Sequence, residues 1–552
     1  YHPAKNRLVE VIPATSTSQQ TIDRVVQYCK MLGKVVIVCG DRPGFVVNRF
    51  FVPWLNEACL LLEEGHGTAA QIDAVARKAF RIGLGPFGLM NLTGPPIALH
   101  STDYLAQQLA TPRYTGATNL RELVSANNQW EIDEDESYSE EQFEQISRRL
   151  YGVVFGVATQ IVDEGVCSIE DVDRGAKVGL RWARGPFELM NRVGVLKSFE
   201  MAQDYLKLCQ DESGKSNWQI PEFFAKQASN NQKWDFSYVD TEISNGIATI
   251  TINRPEAMNA LNETVIHQLG IAVDAVNSND EVHTMVLDGA GKAFIAGADV
   301  KFFVDKIRSD SIPDIVEFTS NGHKVLNSIE NSPKTTIALT TGLALGGGLE
   351  LALCCDYRIG TRRTQFRFPE TSIGIYPGLG GSQRPARISG IPLARWAVLG
   401  GNFMTAQVAY DIGLLTHLVD LSEVESTTNV CVSQGKPANK YAGKPSNEAS
   451  EVVKFATDFY SDANLAILLS GGCPEGYDPE DKSISRQLKN LKYTAPIALS
   501  MASDLIDVTA TTTLAEGLDI ELSKLTDIFS TRDALEGLSA LIEGRRATYT
   551  NS

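Results

Sequence analysis

The sequence predicts a multidomain α+β protein: an all-helical half containing a duplicated unit, then an α/β half closed by a helical tail. Three observations carry this. A length of 552 residues exceeds what one hydrophobic core usually organises. Gly85-Pro86-Phe87-x-Leu89-Met90-Asn91-x-x-Gly94 recurs 100 residues later as Gly185-Pro186-Phe187-x-Leu189-Met190-Asn191-x-x-Gly194. Beyond residue 236, strand-like runs alternate with helical periodicity up to Val419.

Residues 1–41 read as strand, helix, strand. Leu8-Val9-Glu10-Val11-Ile12 is β-rich, Ser16 to Leu32 has helical spacing, and Lys34 to Val38 is a short apolar strand ending at Gly40-Asp41-Arg42-Pro43-Gly44. The chain opens Tyr-His-Pro without a methionine, so an N-terminal portion is expected to be missing. Residues 42–127 and 147–210 are the two helical copies; the same offset maps Glu64-Gly65 onto Glu164-Gly165 and Asp73 onto Asp173. The acidic run Trp130 to Gln145 reads as a solvated face or connector. Residues 211–235 are rich in Ser, Asn and Gln and are expected to be an interdomain linker. The α/β domain spans 236–552. It opens on a hairpin around Ser244-Asn245-Gly246, followed by a helix from about Glu263 to Val276 and a strand at Thr284–Asp288. Residues 421–490 resemble an insertion with some helix. The tail from Leu499 to Arg546 is helical, and its Ala534-Leu-Glu-Gly537 suits packing or oligomer contact.

Composition narrows the function classes. With 67 acidic against 50 basic residues the net charge is −17, which disfavours nucleic acid or a membrane surface as partner. The nine cysteines form no CxxC pair, so reduced thiols in a cytoplasmic protein are expected rather than a disulfide framework or a metal site. The longest apolar runs are broken well short of a membrane span.

The chemistry concentrates between Thr340 and Gly381. Gly346, Gly347 and Gly348 precede the apolar run LELALCC, which reads as a buried helix. Amides at a helix start have no internal partner and can face developing negative charge. Glu350 lies about one turn past Gly347 on the same face, and Glu370 follows Pro369 twenty residues later. Small residues around Ala298, in Gly291 to Lys301, supply a second candidate amide. Two such donors fit a thioester oxygen that gains charge, and two carboxylates fit acid–base work on the neighbouring carbons. The plainer reading is two strand-to-helix turns, with Glu350 paired to a basic neighbour.

Four segments in order resemble the crotonase superfamily, closest to enoyl-CoA hydratases: Arg254–Asn262 (RPEAMNALN), Ala293–Lys301 (AFIAGADVK), Gly342–Ala352 (GLALGGGLELA) and Phe368–Gly381 (FPETSIGIYPGLGG). The resemblance covers about 240–550 and implies a crotonase-like spiral fold with a C-terminal helical oligomerisation segment. It implies that the amides of Ala298 and Gly347 hold the thioester oxygen, and that Glu350 activates water while Glu370 exchanges the Cα proton. Ala260, Ala296 and Lys301 match positions near the CoA moiety. Hydrolases of the superfamily lack the first glutamate and carry an aspartate eight residues after the second; here Glu350 is present and Gly378 stands at the latter position, which favours hydration. RNA-binding members use a lysine-rich helix, whereas Asp314 to Ile329 has few lysines.

The first 210 residues resemble 3-hydroxyacyl-CoA dehydrogenases through His2-Pro3, Arg7–Val11, Asp41–Arg49 and the duplicated GPFxLMN unit. The resemblance makes 1–41 a remnant of an NAD-binding Rossmann domain whose main part is expected to be absent. The family's catalytic histidine falls two positions before Tyr1, so His2 is not that residue. Glu10 matches the glutamate that orients that histidine, and Asn48 an active-site asparagine.

The order, dehydrogenase before hydratase, resembles bifunctional crotonyl-CoA hydratase/3-hydroxybutyryl-CoA dehydrogenases. The expected reaction is hydration of a trans-2-enoyl-CoA to the (S)-3-hydroxyacyl-CoA. The hydratase needs no cofactor or metal, the CoA thioester being its substrate, and the intact dehydrogenase would use NAD. A homo-oligomer, trimer or hexamer, is expected by resemblance. The alternatives are an acyl-CoA hydrolase or isomerase on the same fold, and an inactive assembly scaffold.

Overall fold

A computed structural model describes residues 6–133, 136–210 and 216–552. The chain divides into two compact units, Tyr1–Phe236 and Ser237–Ser552. His2 lies outside the described residues.

The first unit begins with β1 (Leu8–Val11) and β2 (Val35–Val38), paired in parallel from Leu8 opposite Val35 to Val11 opposite Val38. Parallel neighbours need a crossover, supplied by the helix Gln19–Met31, whose start is capped by Ser18. The rest of the unit is helical, and the sequence repeat is a structural one. Asp73 accepts from the amides of Phe87 at 2.8 Å and Gly88 at 2.9 Å, capping the helix Pro86–Thr93. Asp173 accepts from Phe187 at 2.8 Å and Glu188 at 2.9 Å, capping Pro186–Val193. A β-carbon at Gly85 or Gly185 would stand 2.3 or 2.2 Å from the aspartate Cγ, which explains the glycine that opens each motif. The motif asparagines act as staples. Asn91 bonds the main chain of Trp130 in both directions, at 2.8 and 2.9 Å, and Asn191 does the same for Trp234, at 2.7 and 2.9 Å.

Those staples correct the expected linker at 211–235. Among its described residues Glu222–Ser229 is a helix, and Trp218, Phe224 and Trp234 are buried in the first unit's core. Polar composition masked three aromatic anchors. The copies therefore run past their expected ends at 127 and 210, since Trp130 and Trp234 close them. The acidic run is also tied in part to the fold: Trp130 is buried and Glu136 pairs with Arg77.

The second unit opens on β3 (Val239–Ser244) and β4 (Ile247–Ile252), antiparallel from Val239 opposite Ile252 to Ser244 opposite Ile247. Asn245 and Gly246 have φ of 50° and 74°, the two positive values a tight hairpin turn requires. β5 (Thr284–Gly289), β7 (Thr335–Thr340), β9 (Tyr357–Gly360) and β12 (His417–Leu418) extend this sheet in parallel, in the order β12-β9-β7-β5-β4-β3. A second sheet runs β11-β10-β8-β6, from β6 (Ala293–Ala296), β8 (Leu343–Leu345), β10 (Gln365–Arg367) and β11 (Met404–Thr405). Its strands β6, β8 and β10 are parallel, with Ala296 and Arg367 both registered against Leu345.

The insertion carries the helices Val424–Gln434, Glu451–Phe459, Asp462–Leu469 and Lys482–Lys492. The tail carries Pro496–Asp507, Leu514–Ser523, Leu525–Phe529 and Arg532–Glu543. Gly537 packs inside the chain: a β-carbon there would meet the carbonyl oxygen of Ile373 at 2.3 Å.

Candidate active site

The register of the second sheet builds the site. Ala296, Leu345 and Arg367 lie side by side at the last paired level of three parallel strands. Two residues on come Ala298 and Gly347, and three residues past Arg367 comes Glu370. The mouth beyond the carboxyl ends of parallel strands is where such folds place ligands. There β6 and β8 part. Beyond Ala296 the chain bridges to Leu261, whose amide donates to Gly297 and whose carbonyl accepts from Asp299, both at 2.8 Å. In a parallel bridge this turns Ala298's own amide the opposite way. Beyond Leu345 the chain bends at Gly346, φ 44°, and enters the buried helix Gly347–Leu353. Gly347 is its first residue, so its amide has no partner within the helix. Gly348 is needed for packing, since a β-carbon there would meet Ile295's carbonyl oxygen at 2.0 Å.

Glu350 projects from the first turn of that helix and is 2 % exposed. Its Oε1 accepts from the amides of Leu379 and Gly381, each at 2.7 Å. Burial pushes its carboxyl up to about 7, helped by the charge of Glu521 and opposed by the two amides and His323. No basic residue pairs with it among the described residues, so the plainer reading of a paired core glutamate does not hold. Glu370 heads the short 3₁₀ turn Glu370–Ile373 and is also buried. Its Oε2 has no hydrogen-bond partner among the described residues. Burial, and then the charge of Glu350, hold it well above the ordinary range, with Arg367 opposing. Ala298, Gly347, Glu350 and Glu370 line one cavity of about 240 Å³, walled by apolar groups including Phe303, Leu345 and Leu525. Two buried carboxyls above their ordinary range, beside the amides of Ala298 and Gly347 at the same cavity, form a constellation for proton transfer beside a developing oxyanion.

The family described as "Enoyl-CoA hydratase/isomerase" matches residues 247–549. The chain belongs to the enoyl-CoA hydratase/isomerase family. Relatives agree with that placement. Crotonyl-CoA hydratase of Syntrophomonas wolfei is 38% identical over 210 residues, which cover 37% of this chain and 79% of the relative. Short-chain-enoyl-CoA hydratase of Clostridium acetobutylicum is 34% identical over 223 residues, covering 39% and 84%. A solved enoyl-CoA hydratase from Rhodobacter sphaeroides aligns at 23% identity and a TM-score of 0.49, covering 56% of this chain and 90% of its own. The first unit matches the 3-hydroxyacyl-CoA dehydrogenase C-terminal domain at 44–139 and 146–233, and that family's NAD-binding domain at 2–42. That last match falls on the segment 1–41 expected to be an NAD-binding remnant. The chain therefore joins enoyl-CoA hydratase and 3-hydroxyacyl-CoA dehydrogenase domains.

Other expected residues fall in different places. Ala296 lines the cavity, whereas Ala260 and Lys301 lie outside its lining, Lys301 exposed on the helix Val300–Arg308. In the first unit, Glu10 on β1 accepts from the amides of Val46 at 2.9 Å and Val47 at 3.1 Å, at the start of the helix Val47–Glu63; burial raises its carboxyl. Asn48 is exposed on the first turn of that helix. Sequence reasoning missed Glu521 and His323. Glu521 is fully buried, in the helix Leu514–Ser523. Its signal was legible: Leu518, Glu521, Leu525 and Ile528 are spaced as an apolar stripe with an acid in it. No helix among the described residues is long and apolar enough to cross a membrane. Nor do they contain a cluster of three or more potential metal ligands.

Proposed function

We propose that the second unit reversibly adds water in syn fashion to a trans-2-enoyl-CoA, crotonyl-CoA by preference, giving the (S)-3-hydroxyacyl-CoA. The carrying observation is the convergence of Glu350, Glu370, Ala298 and Gly347 on one small cavity. The amides of Ala298 and Gly347 hold the thioester oxygen, where charge grows as the Cα–Cβ double bond is polarised. Glu350, already fixed by two amides through Oε1, takes a proton from water as its oxygen bonds to Cβ. Glu370, kept protonated by burial, gives its proton to Cα from the unpartnered Oε2 side. In the reverse direction the roles exchange. A cavity of about 240 Å³ walled by apolar side chains supports a short acyl chain, as does the relative named for crotonyl-CoA. Gly378, which lines the cavity, supplies no carboxylate for thioester hydrolysis.

For the dehydrogenase domains the reading is oxidation of (S)-3-hydroxyacyl-CoA to 3-oxoacyl-CoA with NAD, supported by the family matches. Residues 2–42 contain no Gly-rich strand-to-helix turn, and Glu10 spends an oxygen on helix amides. The residues present do not assemble a nucleotide site, and no step is routed through NAD. The assembly expected for the hydratase unit is a trimer or hexamer.

The test is direct: purified chain added to crotonyl-CoA should lower the absorbance of the conjugated enoyl thioester to its equilibrium level without releasing free thiol. Thiol release would indicate a hydrolase. A folded chain that leaves the absorbance unchanged would sink the reading and favour a scaffold.

A further inference from the structure

Four consecutive amides, those of residues 379 to 382, alternate between two buried glutamates. Leu379 and Gly381 donate to Oε1 of Glu350, each at 2.7 Å. Gly380 donates to Oε1 of Glu521 at 2.6 Å, and Ser382 to its Oε2 at 3.3 Å, with the Ser382 hydroxyl donating to the same Oε2. Three donors thus converge on the Glu521 carboxylate. His323 approaches Oε1 of Glu521 to 3.5 Å while its Nε2 donates to the Gly378 carbonyl at 2.8 Å. Arg384 fixes the remaining carbonyl, donating to Leu379 at 2.9 Å. Arg384 is itself held by Glu330 at 2.7 Å, which also takes Lys440 of the insertion at 2.8 Å. The struts of this loop come from four helices, with the insertion bracing Glu330.

We propose that Glu521 is a positioning residue for Glu350: it fixes the 379–382 loop from behind and supplies the negative charge that helps Glu350 take a proton from water. This rests on the reading of Glu350 as the water-activating base. The geometry leaves few rivals for that charge. The groups facing Glu350 are Glu370 from the 3₁₀ turn, His323 from Ile312–Glu330, Glu521 from the tail, and the Cys354 thiol, which donates to Glu350's own carbonyl at 3.3 Å. The groups around Glu521 are His323, Glu370 and Tyr376, whose hydroxyl donates to the Glu521 carbonyl at 2.7 Å. Glu370 is the reacting partner, and His323 is tied by Nε2 to a carbonyl. Glu521 is thus the one fixed anion among them. Its effect is to make Glu350 a stronger base than two amide donors would otherwise leave it, without touching substrate.

The experiment is the pH dependence of kcat for crotonyl-CoA hydration by the full chain and by Glu521→Gln and Glu521→Asp. Gln keeps an acceptor for Gly380 but removes the charge, so the acid limb should move to lower pH by about 1 unit. Asp keeps the charge but shortens the reach, so the limb should stay while the plateau falls at least ~10-fold. An unmoved limb in Glu521→Gln would reduce Glu521 to a structural prop and overturn the proposal. If that variant does not fold, Glu521→Asp decides: a wild-type plateau, or a shifted limb, overturns it. No hydration by the unaltered chain would overturn the hydratase reading beneath it, a result distinct from both.

Discussion

A β-carbon at Gly346 would stand 2.0 Å from Oε1 of Glu370. The glycine run is therefore more than a flexible approach to the helix. Gly346 makes room for the second carboxyl, and its φ of 44° is a conformation that side chains adopt with strain. Gly346→Ala should push Glu370 aside and disturb the turn that aims Gly347. We expect kcat to fall by at least ~10²-fold with KM for crotonyl-CoA little changed, because a shift of one ångström at reacting groups has effects of this order. Steady-state kinetics beside a thermal melt check this, and a variant with near-normal kcat would remove Gly346 from the argument.

Glu350→Gln and Glu370→Gln preserve shape and remove one proton-transfer group each. Each should lower kcat by about 10²–10⁴-fold while CoA-ester binding survives. The losses should not multiply in the double variant, since both groups serve one proton-balanced step. Isothermal titration with a saturated acyl-CoA measures binding independently of turnover. A normal rate in either single variant means the pair is misassigned.

Much of this site was legible because its chemistry is local. Gly346–Glu350 and Phe368–Glu370 are short stretches in which glycines, a helix start and two acids sit at fixed spacing. What the sequence hid is what long-range packing decides. Trp218 and Trp234 stand among serines, asparagines and glutamines, and only the fold shows that Asn191 staples Trp234 into the helical core. Glu521 lies some 170 residues beyond Glu350 in the chain, so no local pattern links them, although an acid on an apolar stripe marked it as unusual. Lys301 shows the converse. Its motif match was clear, yet it stands exposed outside the cavity lining, and sequence spacing alone does not fix where a long side chain on a helix surface reaches.

Burial of Glu350 has a consequence for stability. Its folded carboxyl sits at about 7 against an ordinary 4.5. The folded state therefore holds this proton more tightly than the unfolded state. The associated stabilisation is complete below about pH 4.5 and is lost as pH rises through about 7, with a full span on the order of 3 kcal/mol. Glu350→Gln lacks this titration and keeps acceptance from Leu379 and Gly381. It should gain on the wild type between pH 5.5 and 8.5 and be the more stable protein at pH 8.5. Denaturant midpoints at the two pH values give the difference; a constant gap between the proteins would contradict a raised Glu350.

The duplicated unit allows one experiment to be done twice in one chain. Asp73 and Asp173 each hold two amides at 2.8 and 2.9 Å, from a position where the motif glycine makes room. Removing either carboxyl leaves a buried phenylalanine amide, Phe87 or Phe187, without its acceptor and uncaps the helix that follows. Asp173→Ala and Asp73→Ala should each destabilise the first unit by about 2–4 kcal/mol. Both aspartates are buried, and burial raises the Asp173 carboxyl further, with Glu188 adding like charge beside it, whereas Asp73 is raised only to about 6 and has Arg77 near. Part of what Asp173 contributes in hydrogen bonds is thus offset by the burial of its charge. The Asp73→Ala loss should therefore shrink less than the Asp173→Ala loss as pH rises from 6 to 8. Chemical denaturation of both variants at the two pH values tests this, and equal pH dependence would mean that the two copies carry their aspartates in the same electrostatic state.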